Sequence, residues 1–253
     1  MATYFSAITF TAEINDMLES IPLDSILCLD IETVPQYPSY HDAPEALQEL
    51  WARKAAVLQK GEEGAPAAIY ERAGIYAEFG KIICISTGFL NYRNGERQFR
   101  LKSFYGDDEQ QLLTEFASLL NKLPADKILC GHNGKEFDFP YISRRMIIQH
   151  MKIPVQLDNQ GKKPWEIRHL DTMELWKFGD YKNFTPLSLL AYILGIPSPK
   201  DDIDGSLVGP VYWIEKDLNR IVTYCQKDVV TVMQVLLRLK GEELLREEEV
   251  LIT

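Results

Sequence analysis

Residues 25–31 read SILCLDI, and Glu32 follows. The run has strand length, polar residues bound it, and it is almost continuously apolar, as in strands covered by helices on both faces. Two further runs have this character, Lys81–Leu90 (KIICISTGFL) and Lys127–Gly131 (KILCG). Between them lies Arg97–Tyr105 (RQFRLKSFY), preceded by the hairpin signal NYRNG at 91–95, which predicts an antiparallel pairing with the run before it. Helical spacing fills the gaps. Asp107 or Asp108 caps a helix carrying Leu112, Leu113, Phe116, Leu119 and Leu120. Phe139–Met151 and Thr185–Leu194 read as two more, and a long last helix is expected from about Val211 to Lys240. The pattern predicts an α/β fold with a mixed sheet of about five strands flanked by helices on both faces.

The stretch Pro35–Phe79 fits this scheme least. It carries Leu47, Leu50, Trp51, Val57 and Leu58 at helical spacing, a break at Gly61–Pro66, and a second helical segment, Ala67–Glu78. It reads as a helical insertion at about 35–79 in a single domain of 1–253. The segment Glu242–Glu249 reads as a short acidic tail.

Composition narrows the function classes. A net charge of −10 argues against a protein that coats nucleic acid through a broad basic face, but permits an enzyme that grips one strand end. Cys28, Cys84, Cys130 and Cys225 form no C-x₂-C pair and read as buried thiols in a reducing compartment. No stretch approaches the ~20 apolar residues of a membrane span. The start, Met1 to Ser6, lacks a basic region followed by an apolar run, and the expected location is cytoplasmic.

Three carboxylate-bearing motifs stand out. Asp30-Ile31-Glu32 ends the first strand, and alternation puts both carboxylates on one side, the oxygen donors a hard cation such as Mg²⁺ requires. GHNGKEFDFPY at 131–141 leads from a strand through a loop into a helix, with Asp138 near its N-terminus. TYCQKDVV at 223–230 places Tyr224 and Asp228 four apart, on one helical face. Taken singly, each has a plain structural reading: a polar strand end, an N-cap, and an aspartate paired with Lys227 or Arg220. Asp171, after another short apolar run, reads as structural.

In chain order, D-x-E, N-x₃-F-D and Y-x₃-D resemble the three motifs of the DEDD superfamily of 3′–5′ exonucleases. Of twelve tyrosines, only Tyr224 has Asp at the fourth position after it, and no histidine has Asp at the fifth, so the chain resembles the DEDDy branch. GHNGKEFDFPY and TYCQKDVV are similar to the proofreading exonuclease domain of family B DNA polymerases. LGIPSPKDDIDGS (194–206) is similar to predicted stand-alone PolB-like exonucleases.

The resemblance implies a ribonuclease H-like fold and a two-metal 3′–5′ exonuclease that releases nucleoside monophosphates from single-stranded DNA. Two Mg²⁺ or Mn²⁺ ions would be held by Asp30, Glu32, Asp138 and Asp228. Asp30 would bridge them, and Asp138 would act through water. Tyr224 would orient the attacking water, Asn133 would contact the nucleic-acid backbone, and Phe137 is a motif position of the substrate region. Arg144, Arg145, Lys152, Lys162, Lys163 and Arg168 concentrate positive charge that would track phosphates or remain solvated surface. An RNA exonuclease of the same superfamily and a catalytically silent nucleic-acid-binding module remain alternatives, as does a partner-binding role for the Leu47/Leu50/Trp51 helix. A separate polymerase or repair partner is compatible with this reading but has no signature in the sequence.

Overall fold

The computed structural model describes residues 18–60, 64–180, 182–197 and 203–253. Residues 1–17, the first half of the 61–66 break, Tyr181 and residues 198–202 of the LGIPSPKDDIDGS segment lie outside them. In the run that opens the sheet, β1 (Ile26–Pro35), side chains alternate strictly between two apolar clusters. Leu27, Leu29 and Ile31 pack into one, Ile26 and Cys28 into the other. This is the two-sided burial that the continuous apolar run requires.

β2 (Gly80–Arg93) pairs antiparallel with β1, and β3 (Glu96–Tyr105) pairs antiparallel with β2 across the Asn94–Gly95 turn. Both turn residues have positive φ, as the tight hairpin requires. β4 (Ile128–Gly131) and β5 (Leu170–Asp171) extend the other side, with β1, β4 and β5 parallel. The order is β5-β4-β1-β2-β3-β6. Its first five strands have the order and directions of a ribonuclease H-like sheet.

A sixth strand adds to the expected sheet of about five. β6 (Val250–Ile252) pairs parallel with β3 beyond the segment read as an acidic tail. That segment is anchored because Glu249 is buried against Arg97, whose guanidinium bonds both of its carboxylate oxygens and the carbonyls of Glu243 and Leu244.

One face of the sheet carries α2 (Glu109–Leu120) and α3 (Asp138–Ile148), and the other carries α6 (Leu218–Leu239). Asp108 caps α2 by accepting the Gln111 N–H, while Asp107 accepts a bond from the Tyr212 hydroxyl. The short helices α4 (Thr172–Lys177) and α5 (Leu187–Ile193) follow β5. The long last helix is shorter than its periodicity predicts. A π turn at Val211–Glu215 precedes it, Lys216 takes a left-handed conformation, and Asp217 caps a new start by accepting the Arg220 N–H.

Between β1 and β2, α1 (Glu45–Leu58) buries Trp51 and Ala55, whereas Leu50 and Val57 of the expected face are exposed. The aromatic rings of Tyr70, Tyr76 and Phe79 surround Trp51, so one large side chain does the work assigned to a stripe. The segment expected as a second α-helix winds instead as 3₁₀ turns over Pro66–Ile75. Its end lies so close to β1 that a Cβ on Gly74 would sit 3.1 Å from the Val34 carbonyl carbon. Among the described residues no helix is long and apolar enough to cross a membrane.

Candidate active site

The candidate residues converge where β4 leaves the sheet. β4 pairs with β1 only as far as Cys130 opposite Cys28, so the β1 edge beyond that point is open toward the following loop. Asp138, at the first position of α3, fills this edge: its Oδ1 accepts the Ile31 N–H at 3.1 Å. That bond spans 107 residues of sequence and sets Asp138 beside Asp30 and Glu32. The two β1 carboxylates point toward α6, and the β1–β2 register shifts between Glu32 and Thr33, a bulge that bends the strand just past the pair.

From α6 comes Asp228, with Tyr224 one turn earlier and sharing a side-chain hydrogen bond with it. The same face brings Cys225, which the sequence reading placed only among buried thiols. Its Sγ lies 3.4 Å from Asp30 Oδ2 and 3.5 Å from the Asp30 carbonyl oxygen. Ligand atoms of Asp30, Glu32 and Cys225 all lie within 4.8 Å of one another. Cys225 is part of the quoted TYCQKDVV run, one residue after Tyr224, and that adjacency was the available signal.

The loop before Asp138 is built rather than loose. Asn133 adopts a left-handed conformation with φ 62°, and its carbonyl accepts the N–H groups of Glu136 and Phe137. Asp171 holds the loop from below, accepting N–H bonds from Asn133, Lys135, Met173 and Glu174, which is the structural role the sequence suggested. His132 braces the same loop, with Nδ1 2.9 Å from the Thr172 hydroxyl and Nε2 2.8 Å from the Thr185 carbonyl. Gly131 and Gly134 pass so closely that a Cβ on Gly131 would lie 3.0 Å from the Gly134 Cα. The Asn133 side chain leaves Oδ1 buried and without a hydrogen-bond partner among the described residues. Phe137, just before α3, is half-buried with its ring against Tyr141, so packing occupies it.

Electrostatics mark the cluster. Glu32 and Asp138 are 7% and 4% exposed, too little for water to solvate their charges. Burial, then the charges of Asp138, Glu32 and Asp228, raise the Asp30 carboxyl well above the usual carboxylate range. Glu32 is raised in the same direction by burial and by Asp228. Burial pushes Asp138 up to about 7, opposed by its bonds to its own N–H and to that of Ile31. Tyr224 is likewise raised, by burial and then by Asp228, Glu32 and Asp30, so its hydroxyl keeps its proton. Four converging carboxylates without a cation repel one another. Hard oxygen donors in this number fit a divalent ion such as Mg²⁺ or Mn²⁺.

Arg145 is not available to this site. Its guanidinium is buried in a two-pronged pair with Glu109, at 2.9 and 2.5 Å, and also bonds the Ala77 carbonyl. This corrects its grouping with the phosphate-tracking cations.

A family profile described as "Predicted 3'-5' exonuclease related to the exonuclease domain of PolB" matches residues 75–248, more than two thirds of the chain. The chain belongs to this family. The matched stretch includes Asn133, Phe137, Asp138, Tyr224 and Asp228 but begins after Asp30 and Glu32, whose place in the cluster rests on geometry. Among solved structures, the family B DNA polymerase from the hyperthermophilic archaeon Pyrobaculum calidifontis is similar at 17% identity and a TM-score of 0.49. That likeness covers 84% of this chain, which spans 24% of the polymerase. The RNase domain of the yeast Pop2 protein is similar at 13% identity and a TM-score of 0.36, covering 87% of this chain and 81% of that one. No curated protein sequence matches the chain.

Proposed function

We propose that this PolB-type exonuclease is a DEDDy enzyme that removes the 3′-terminal nucleotide of single-stranded DNA with two divalent metal ions. The observation that carries the reading is the convergence of Asp30, Glu32, Asp138 and Asp228, with Tyr224 hydrogen-bonded into the group. These four carboxylates would hold the ions. When bound, such ions lower the pKa of water and stabilise the oxygens of an in-line displacement at phosphorus.

The chain's own residues account for the rest. Tyr224, held protonated, is no base; it positions the attacking water through its hydroxyl. Cys225 donates its S–H to the Asp30 carboxylate and helps fix its direction. Asn133, in the left-handed turn before Asp138, would contact the nucleic-acid backbone. Water adds to phosphorus, the bond to the 3′ oxygen of the preceding nucleotide breaks, and that oxygen takes the proton. The product is a nucleoside 5′-monophosphate. The described chain acts as one exonuclease unit, with the segment at about 35–79 packed against the end of β1.

The test is degradation of 3′- and 5′-labelled single-stranded DNA and matching RNA with Mg²⁺, Mn²⁺ or EDTA, comparing wild type with Asp228→Ala. Metal-dependent shortening from the 3′ end, abolished by the substitution, supports the proposal, and the preferred polymer decides the sugar. Folded, metal-supplied protein that cleaves neither polymer would sink it.

A further inference from the structure

The cations of the middle third separate in the fold. Arg145 is used up in the core, but Lys162 and Arg168 meet Lys127 around a pocket of about 90 Å³ at the β5 edge of the sheet. Asp126 is the single carboxylate in the lining of that pocket. Trp165, in the single turn Pro164–Glu166 between these cations, is 77% exposed, with the Lys163 ammonium 5.3 Å from its ring centroid. Trp165 stands in water beside Lys162, Lys163 and Arg168, with exposed Glu166 in its own turn and exposed Asp158 nearby, so the patch keeps a small positive excess on a chain whose net charge is −10. Cations that track a backbone beside an aromatic face open to stacking are the elements of a single-strand platform.

The patch is physically joined to the carboxylate cluster. His169, which lines the pocket, packs its ring edge-on at 5.3 Å from Phe139, the neighbour of Asp138. Leu170 pairs with Cys130, which pairs with Cys28, so Arg168 and Asp30 lie two residues to either side of one register line. Four residues along the strands and two strand spacings across give a separation of about 16 Å. That is the distance within the sheet, with the patch at the N-terminal ends of β4 and β5 and the cluster beyond the C-terminal end of β4. A strand laid over the surface therefore needs more than the roughly five stacked nucleotides that about 16 Å holds.

We infer that Lys127, Lys162, Lys163, Arg168 and Trp165 form a second contact for single-stranded nucleic acid, gripping the strand more than about five nucleotides upstream of the terminus. The inference rests on the exonuclease reading for its direction along the strand. Binding of 5′-fluorescein-labelled oligothymidylate to the full chain is followed by fluorescence anisotropy in EDTA, for a 12-mer and a 3-mer, independently of cleavage.

Trp165→Ala is expected to weaken 12-mer binding by about 5- to 100-fold, as loss of one stacked base predicts, with Trp165→Phe retaining most of the affinity. Lys162→Gln with Arg168→Gln is expected to lower the slope of log affinity against log salt by about 1.4. Neither change should alter 3-mer binding. Wild-type affinity for the 12-mer in the variants, or equal losses for both lengths, would overturn the inference. Normal cleavage together with unaffected binding would sink the patch alone, whereas no cleavage with length-dependent binding would leave the patch standing and remove the catalytic reading.

Discussion

Asp138→Asn should make the metal-free protein more stable at alkaline pH, although it removes a proposed metal ligand. The Asp138 carboxyl is 4% exposed and pushed up to about 7, from an ordinary 3.8, mainly by burial. A shift of about 3 units is worth roughly 4 kcal/mol between the protonated and ionised forms. Because the folded-state value is raised, the favourable contribution is fully present below about pH 3.8 and is lost as pH rises through about 7. Asparagine keeps an oxygen to accept the Ile31 N–H and carries no charge. Urea unfolding in EDTA at pH 4 and 8.5 tests this. The variant is expected to gain about 2–4 kcal/mol at pH 8.5 and close to nothing at pH 4. With Mn²⁺ at pH 8.5 the order should reverse, since wild type then has a counter-ion and the variant lacks one of its ligands. No gain at pH 8.5, or an equal gain at both pH values, would refute the reasoning.

Saturating Mn²⁺ should raise the wild-type melting temperature, with about 2.7 kcal/mol of stabilisation at a hundredfold excess over Kd; a flat response in calorimetry would contradict an assembled carboxylate site. Tyr224→Phe should lower kcat by about 10²-fold by misplacing the nucleophile while leaving Mn²⁺ affinity unchanged, so an equal fall in metal affinity would remove its positioning role. Glu109→Ala should cost about 3–5 kcal/mol, because it strands the buried Arg145 charge, and Glu109→Leu with Arg145→Met should recover most of this; a double variant no better than the single would count against the pair. Arg97 holds Glu249 down at about 2. The contribution of that pair is therefore present above about pH 4.5 and lost as pH falls toward 2, so Glu249→Gln should flatten the acid limb of a pH titration of stability.

The features that were readable from sequence are those set by near neighbours. Period-two burial of Ile26, Leu27, Cys28 and Leu29 follows from the backbone geometry of a strand. So does the common side of Asp30 and Glu32. The Asp108 cap and the Asn94–Gly95 turn are local chemistry. The stop at Lys216 escaped periodicity because Ile214 keeps the apolar spacing while being 80% exposed.

The tertiary structure decided what charges do when distant segments meet. Arg145 and Lys162 carry the same formal charge in one stretch of sequence. Glu109 draws the first into the core, and the second stays in water. Glu249 looked like one more acid in a tail until Arg97, 152 residues away, made it an anchor for β6. Asp138 reached the open β1 edge only because β4 ends where it does, and Cys225 met Asp30 only because α6 crosses that edge. Alternation and capping are properties of a few consecutive residues. The partner of a buried charge is chosen by chain closure over a hundred residues or more, which no local pattern encodes.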